Sequence, residues 1–165
     1  MESPYYLDTL KARAMDKRKS NKKLLVRLKK INPRELDNLV HELHEEVFDY
    51  IDCLKCGNCC STISPIIINK DIERISRKLK DKPAAFANAY LEIDEDDDYV
   101  FRQAPCPFLG EDLYCEIYTD RPKACAEYPH TDRVKFYQAL DLSLKNTETC
   151  PAVFEIFEKL KERGY

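Results

Sequence analysis

Cys53-Leu54-Lys55-Cys56-Gly57-Asn58-Cys59-Cys60 is the stretch that decides how this chain folds, because it places four cysteines within eight residues. Thiolates separated by two residues allow the backbone to turn back around one metal ion or cluster. The other four cysteines follow at wider spacing. The sequence therefore predicts a metal site whose ligands come from all eight: Cys53, Cys56, Cys59, Cys60, Cys106, Cys115, Cys125 and Cys150.

The cysteine content also bears on the compartment. The sequence begins MESPYYLDTL and lacks the basic, apolar and small-residue segments of a secretory signal. Because thiols stay reduced in the cytoplasm, metal ligation is favoured over a disulfide framework. The longest apolar run, residues 66–68, is much too short to cross a bilayer. We therefore expect a cytoplasmic protein without a membrane segment.

Glycine is scarce, with only Gly57, Gly110 and Gly164 in 165 residues. Phosphate-binding loops and the GxGxxG turn of dinucleotide-binding folds need closely spaced glycines. Their absence excludes the commonest nucleotide- and NAD-binding folds.

The N-terminal part is predicted to form two helices. Apolar residues recur every three to four positions over residues 5–31, although residues 17–23 are polar. Asn32-Pro33-Arg34-Glu35 is a strong start signal for a second helix, which we expect to run to about Tyr50. Its predicted buried face is Leu36, Leu39, Val40, Leu43, Val47 and Ile51. We expect the two helices to form a hairpin or a bent pair.

Charge is distributed unevenly along the chain. Residues 1–30 carry ten Lys and Arg against three Asp and Glu, whereas residues 31–165 carry seventeen against twenty-seven. A basic helix ahead of an acidic body could contact a protein partner of unknown identity. Nucleic acid is a weaker prediction, because basic runs alone are weak motifs. The alternative is a helix whose charges only keep it in solvent.

The rest of the chain is predicted to mix short helices with short strands. One further helix is predicted to be capped by Asn69 and to run through Leu79. Another is predicted to start at Pro83, and a last one to cover Pro151–Glu162. Residues 53–60 are expected to form a loop, Ile66–Ile68 a buried strand and Val134–Leu142 another strand. Residues 99–129 are expected to form short strands and turns, with Cys106 and Cys115 on either side of one turn.

These elements predict a mainly α fold with short β-hairpins. We expect residues 1–51 to be an N-terminal helical extension and residues 52–165 to be a cysteine-rich, irregular domain stabilised by metal. Residues 53–61 and 103–150 show little apolar periodicity. Bound metal would therefore supply folding free energy that the apolar residues of this part do not.

The spacing leaves two metals open. Cys53-x2-Cys56-x2-Cys59 matches the first three ligands of a bacterial ferredoxin loop, whose fourth ligand is a distant cysteine followed by proline. Cys106-Pro107 and Cys150-Pro151 both offer that pair. Structural zinc usually takes two short CxxC-type turns, and only the first half of the chain supplies that spacing. The predicted cofactor is an iron–sulfur cluster of the 4Fe-4S type, or zinc.

Cys59 and Cys60 carry a separate implication. Adjacent side chains are expected to diverge, so both rarely bind one tetrahedral ion. We expect Cys53, Cys56 and Cys59 to take a remote fourth ligand while Cys60 joins the later cysteines. The division among those later cysteines is left open.

An ordered set of short motifs accompanies the cysteines. They are CxxCxxCC at residues 53–60, CPFL at 106–109, CEIY at 115–118, RPxxC at 121–125 and YP at 128–129. Together with INKDI at residues 68–72, they resemble the CxxCxxCC family of zinc- or iron-chelating domains. The resemblance extends from about Asp52 to Cys150 and leaves residues 1–50 outside as an added helical extension.

The resemblance implies metal chelation by the cysteines and little more, because most members of that family have no established activity. A larger relative, the flagellin lysine N-methylase, implies an iron–sulfur cluster and methyl transfer from S-adenosylmethionine. This chain is much shorter and shows no loop for S-adenosylmethionine. Only the cysteines correspond, so no catalytic residue is assigned.

Other polar residues are weaker candidates. His41 and His44 lie three residues apart on one predicted helix, a spacing that can support metal but is usually solvated. His130 could tune a cluster, although a surface histidine is the simpler interpretation. Arg121 could bind an anion, or more simply pair with a carboxylate to fix the turn at Pro122.

Three functions are consistent with these features. The first is a metal-binding protein with a multi-cysteine iron–sulfur or zinc site, which is structural and could also be redox-active. The second is an iron–sulfur enzyme, for example one that transfers methyl groups to protein. The third is an interaction module that uses the basic N-terminal helix.

Overall fold

The computed structural model describes residues 5–165, which divide into two compact units. The first, called here the helical unit, combines the N-terminal part through Asp52 with Pro129–Tyr165. The second, called the cysteine unit, is Cys53–Tyr128. The predicted division into residues 1–51 and 52–165 concerns independent folding, which compactness alone does not test, so it stays a prediction.

Helices dominate the described residues. They are α1 Leu7–Leu28, α2 Pro33–Phe48, α3 Cys53–Cys56, α4 Asn58–Thr62, α5 Asn69–Lys78, α6 Pro83–Tyr90, α7 Lys123–Glu127, α8 Leu140–Asn146 and α9 Pro151–Glu162. Strands β1, Leu91–Ile93, and β2, Tyr99–Phe101, form one antiparallel sheet. The prediction of a mainly α fold with short β-hairpins is confirmed. None of the helices described has both the length and the apolar content that crossing a membrane requires.

In the helical unit, α2 begins where the sequence predicts it. Pro33 occupies the first turn, where its missing N–H has no partner to lose, and the Asn32 side chain accepts a hydrogen bond from the Arg34 amide at 2.9 Å. Leu39 is only half-buried. The other predicted apolar positions are buried, namely Leu36, Val40, Leu43, Val47 and Ile51.

Helix α9 supplies the centre of the helical unit and matches its predicted bounds. Its fully buried residues are Ala152, Val153, Ile156, Phe157 and Leu160. Helix α1 packs against α8 and α9, while α2 packs against α9 and the 3₁₀ turn Phe136–Ala139. Both N-terminal helices therefore pack chiefly on the C-terminal ones and not on each other as a hairpin, because α9 is apolar on most of its surface.

The predicted strand over Val134–Leu142 is wrong. Lys135 has a left-handed backbone (φ 58°), and a 3₁₀ turn followed by α8 occupies this stretch. The Asp37 carboxylate accepts hydrogen bonds from the backbone N–H groups of Lys135 (2.7 Å) and Phe136 (2.8 Å). Since a carboxylate from α2 satisfies the first N–H groups of the turn, helical geometry replaces the strand.

The cysteine unit contains the small sheet. Leu91 is opposite Phe101 and Ile93 is opposite Tyr99 in the antiparallel register. The acidic run between the strands forms the hairpin turn, in which Asp94 Oδ1 accepts hydrogen bonds from the amides at 96 (2.9 Å) and 98 (3.0 Å). A side chain that bonds its own turn in this way is a common use of aspartate.

An aromatic cluster forms the core of the cysteine unit. The ring of Phe108 lies 5.7 Å from that of Phe101, 5.1 Å from that of Tyr90 and 6.3 Å from that of Phe86. Aliphatic residues complete it, namely Ile67, Ile72, Ile75, Leu91 and Ile117. Cys106 and Cys115 pack against this cluster, so two cysteines lie directly on the apolar core of the unit.

Two predictions for residues 66–71 are wrong in detail. Only Ile67 is buried, and a single bridge between Ile66 and Val100 replaces the predicted strand. Asn69 is not the cap of α5, because Ile68 holds the cap position and its amide donates to the Asp71 carboxylate at 3.2 Å. The Asp71 carboxylate, at the third helical position, therefore satisfies the start of the helix, a role that we expected Asn69 to fill.

Candidate metal centre

The first four cysteines lie on two short helices instead of the predicted loop. Cys53 and Cys56 begin and end α3, and Cys59 and Cys60 lie in α4. Gly57 separates the helices with φ of 60°, and a Cβ there would lie 3.2 Å from the Leu113 side chain. Both the left-handed backbone and the restricted space favour glycine at this turn.

A hairpin brings Cys106 and Cys115 to the same region. The Cys106 amide donates to the Cys60 carbonyl at 2.8 Å, which ties the start of the hairpin to α4. A bridge pairs Leu109 with Cys115, and the Gly110 amide donates to the Tyr114 carbonyl at 2.9 Å. The turn predicted between Cys106 and Cys115 is therefore present.

The Cys60 thiol is the centre of the cysteine group. A hydrogen bond from the Cys59 thiol lowers the pKa of Cys60 to about 7, against the raising effect of burial. Burial raises the pKa of four other thiols, and in each of them the charge of the Cys60 thiolate raises it further: Cys56, Cys106, Cys115 and Cys125. Together with Cys59 and Cys60, these four cysteines are called the thiol group below. Only thiols close to Cys60 would feel its charge, because such interactions are screened with distance.

Backbone N–H groups point at three of these sulfurs in the same way. The amide two residues further along the chain donates to each of them: Asn58 to Cys56, Phe108 to Cys106, and Ile117 to Cys115. Such hydrogen bonds lower the pKa of a thiol by stabilising its thiolate. The same local turn therefore prepares three separate cysteines to carry negative charge.

The remaining two cysteines lie differently. Cys53 is exposed at the start of α3. Cys150 is buried and holds the cap position of α9, in the helical unit. All eight predicted ligands lie within the described residues, and each is a thiol and not part of a disulfide. The cysteine unit thus contains seven of the eight, six of which form the thiol group, and Cys150 lies in the helical unit.

A family model described as CxxCxxCC, putative zinc- or iron-chelating domain, matches residues 52–151. The chain belongs to the CxxCxxCC family. The match includes all eight cysteines, and it covers the whole cysteine unit and the start of α9. No curated protein and no solved structure matches the chain.

The donor chemistry of this CxxCxxCC domain fits the metals that its family name states. Burial raises the pKa of Cys106 to about 11 and that of Cys125 to about 12, so neither thiol ionises readily without a cation nearby. Soft thiolates are the ligands that zinc and iron–sulfur clusters prefer. Within residues 5–165, however, no three Cys, His, Asp or Glu side chains already surround a common point at ligand distance. The thiol group is a gathered donor set and not a finished ligand shell.

The histidines of this CxxCxxCC protein have structural partners. His41 Nε2 lies 3.0 Å from the carbonyl of Arg133, and His44 Nδ1 lies 2.8 Å from the Thr131 hydroxyl. Both pairs join α2 to residues 131–133 within the helical unit. They explain the His41 and His44 spacing without a metal, while the role considered for His130 stays a prediction.

Arg121 lies beside the thiol group. Its guanidinium donates to the Tyr118 carbonyl at 2.6 Å and lies 3.9 Å from the centre of the Tyr118 ring. Burial is the main influence on the pKa of Cys115 and Cys125, and the positive charge of Arg121 opposes it in both. The arginine therefore supplies positive charge where two thiolates would form.

Our interpretation of the sequence missed the buried carboxylate that organises this region. Asp71 has no exposed surface, and it accepts hydrogen bonds from Arg74 Nη2 at 2.7 Å and from the Lys123 amide at 3.1 Å. The spacing of Asp71 and Arg74 on one helix face was a usable signal. The distant partner at Lys123 was not visible in the sequence.

Proposed function

We propose that the CxxCxxCC domain of this chain binds an iron–sulfur centre, which stabilises the cysteine unit and can exchange electrons. The thiol group, in which five other thiols interact with Cys60, supports this proposal. A single tetrahedral zinc ion takes four protein ligands. Six thiols therefore suit a centre of several metal atoms better than one zinc ion.

The contacts of the sulfurs also support an electron-transfer role. Hydrogen bonds to the ligating sulfurs are among the factors that set the reduction potential of an iron–sulfur cluster. Cys56, Cys106 and Cys115 each accept one from the backbone, and Arg121 adds positive charge near Cys115. When bound, a cluster would supply one-electron redox chemistry. The protein would hold the sulfurs and limit their contact with solvent.

A structural contribution is expected from the same centre. The aromatic cluster around Phe108 supports one part of the cysteine unit, whereas α3, α4 and α7 have only four or five residues each. Helices this short are not stable by themselves. A metal centre that joins all three would supply the missing free energy, because metal binding to such sites contributes directly to folding.

Elemental analysis of protein prepared without oxygen tests the metal. We expect iron and acid-labile sulfide with a visible charge-transfer spectrum, and we expect Cys60→Ser and Cys115→Ser to lose most of both. Met15→Ser, which removes an exposed sulfur from α1, is the matched control and should retain them. A colourless protein with stoichiometric zinc, or cysteine variants with unchanged iron, would contradict the proposal.

We also propose that α1 binds an acidic segment of a protein partner. All ten Lys and Arg residues between positions 11 and 30 are exposed, while Leu10, Ala14, Leu24 and Leu28 hold the opposite face of α1 in the helical unit. At 1.5 Å per residue, a helix of 22 residues is roughly 33 Å long. Charge complementarity over that length favours an extended acidic chain.

Charge reversal is a better test of this surface than deletion, because deletion would remove the core residues of α1. The probe is a labelled polyglutamate peptide at low ionic strength. Lys19→Glu with Lys23→Glu should abolish its binding, whereas Lys78→Glu with Lys82→Glu, an equal charge change on exposed residues of the cysteine unit, should not. Equal losses in both pairs, or stronger binding of polyuridylate than of the peptide, would reject the docking surface.

A further inference from the structure

The Asp71 carboxylate divides its two oxygens between two tasks. Oδ2 accepts from the Ile68 amide at 3.2 Å, which caps α5. Oδ1 accepts from Arg74 Nη2 at 2.7 Å and from the Lys123 amide at 3.1 Å. Capping therefore uses only one oxygen, and the other bonds a residue more than fifty positions away in the chain.

Arg74 contacts the same distant segment. Its Nη2 donates to the Arg121 carbonyl at 2.8 Å, and its Nε donates to the Asp120 carbonyl at 3.3 Å. The planar guanidinium fits two neighbouring acceptors at once, which a lysine ammonium cannot reproduce with the same geometry. Together, Asp71 and Arg74 bind two carbonyls and one N–H of residues 120–123.

Residues 120–123 lead directly into the thiol group. Helix α7 begins at Lys123 and carries Cys125 on its first turn. The Arg121 side chain leaves the same segment to stack on Tyr118, beside Cys115. A shift of the segment would therefore move a thiol and the nearest arginine charge together.

We infer that Asp71 and Arg74 are a positioning pair, which ties α5 to residues 120–123. The pair thereby sets the position of Cys125 within the thiol group and of Arg121 beside it. As far as it concerns metal, this inference rests on the proposed function. Partners that orient metal ligands commonly affect metal affinity by roughly 10- to 100-fold when they are changed. The Asp71–Arg74 ion pair is thus assigned to the site and not only to the stability of α5.

The tests use Asp71→Asn and the milder Arg74→Lys, with Arg77→Lys on the exposed side of α5 as the matched control. In anaerobically prepared protein, both variants should lose metal to a chelator about tenfold faster or more. Their far-ultraviolet circular dichroism should stay close to that of the parent. Arg77→Lys should change neither property. Unchanged metal loss in Arg74→Lys would overturn the inference.

A second readout does not need bound metal. Hydrogen exchange should quicken in the peptide that contains the Lys123 amide, and Cys125 should be alkylated faster in both variants than in the parent, because the segment that positions it is less firmly held. If the parent protein holds no metal, the proposed function fails while this readout still decides whether the pair fixes the segment. Exchange and alkylation equal to those of the parent would overturn it.

Discussion

The Cys59 thiol is hydrogen-bonded to the sulfur of Cys60, although the two residues are adjacent in the chain. We expected these side chains to diverge, but within α4 the two thiols are hydrogen-bonded to each other. The bond lowers the pKa of Cys60 to about 7, whereas burial raises the pKa of Cys106 to about 11. Cys60 therefore ionises more readily than Cys106.

Alkylation of the metal-free protein should show this ordering. At pH 7 about half of the Cys60 thiol is ionised, since its pKa is about 7, and the thiolate is the reactive form. We expect iodoacetamide to label Cys60 before Cys106, with a rate that falls as the pH drops below 7. Peptide mass spectrometry after short exposures from pH 5 to 10 measures the profile.

The matched variant for this measurement is Cys59→Ala. Loss of the hydrogen bond removes the main cause of the low pKa, so the midpoint for Cys60 should move to higher pH. An identical midpoint in parent and variant would show that the Cys59 thiol does not stabilise the Cys60 thiolate.

Metal binding should strengthen as the pH rises. The pKa of Cys125 is raised to about 12, chiefly by burial, so this thiol is protonated at neutral pH and must release a proton to bind metal. Each proton released makes the apparent affinity rise about tenfold per pH unit. Competition with a chelator of known affinity at pH 6.5, 7.5 and 8.5 measures this slope, and a flat profile would contradict it.

The stability of the helical unit should depend on Phe157. This ring is fully buried in α9, so Phe157→Ala should lower the free energy of unfolding by about 3–5 kcal/mol through lost burial and a cavity. Val26→Ala removes an exposed side chain (58 % exposed) from α1 and should change it by no more than about 0.5 kcal/mol. Urea unfolding followed by circular dichroism compares the two. Similar losses in both variants would count against α9 as the centre of this unit.

Acid should weaken the helical unit through His44. Burial lowers the pKa of His44 from its ordinary 6.5, so the folded chain binds this proton less readily than the unfolded chain. The contribution of His44 is complete above pH 6.5 and declines as the pH falls from there towards the lower pKa of the folded state. The urea midpoint should therefore fall between pH 7 and pH 5. His44→Gln should flatten part of this dependence, and an unchanged slope would exclude His44 as its source.

Local signals in the sequence located the elements that local physics controls. Asn32-Pro33 predicted the start of α2, and the apolar spacing after Pro151 predicted α9, because capping and periodicity depend on neighbouring residues. The prediction of a strand over Val134–Leu142 was wrong for the opposite reason. The conformation of this stretch depends on the Asp37 carboxylate, which is distant in the sequence.

The site was predictable in composition but not in arrangement. The cysteine spacing indicated a thiolate centre, and the family match supports zinc or iron chelation. The sequence led us to expect that Cys60 joins the later cysteines, but spacing could not show the hydrogen bond from the Cys106 amide to the Cys60 carbonyl that ties α4 to their hairpin. The predicted grouping of Cys53, Cys56 and Cys59 with one remote ligand stays a prediction.

The helical unit is made from the two ends of the chain, with the cysteine unit between them in sequence. During synthesis α1 and α2 are therefore made well before α9, on which both pack. The thiol group, by contrast, needs no residue beyond Cys125. Because compact units generally fold as wholes during synthesis, the cysteine unit does not have to wait for α9, whereas the helical unit cannot be completed without it. The order of the residues along the chain thus separates the assembly of the two units in time.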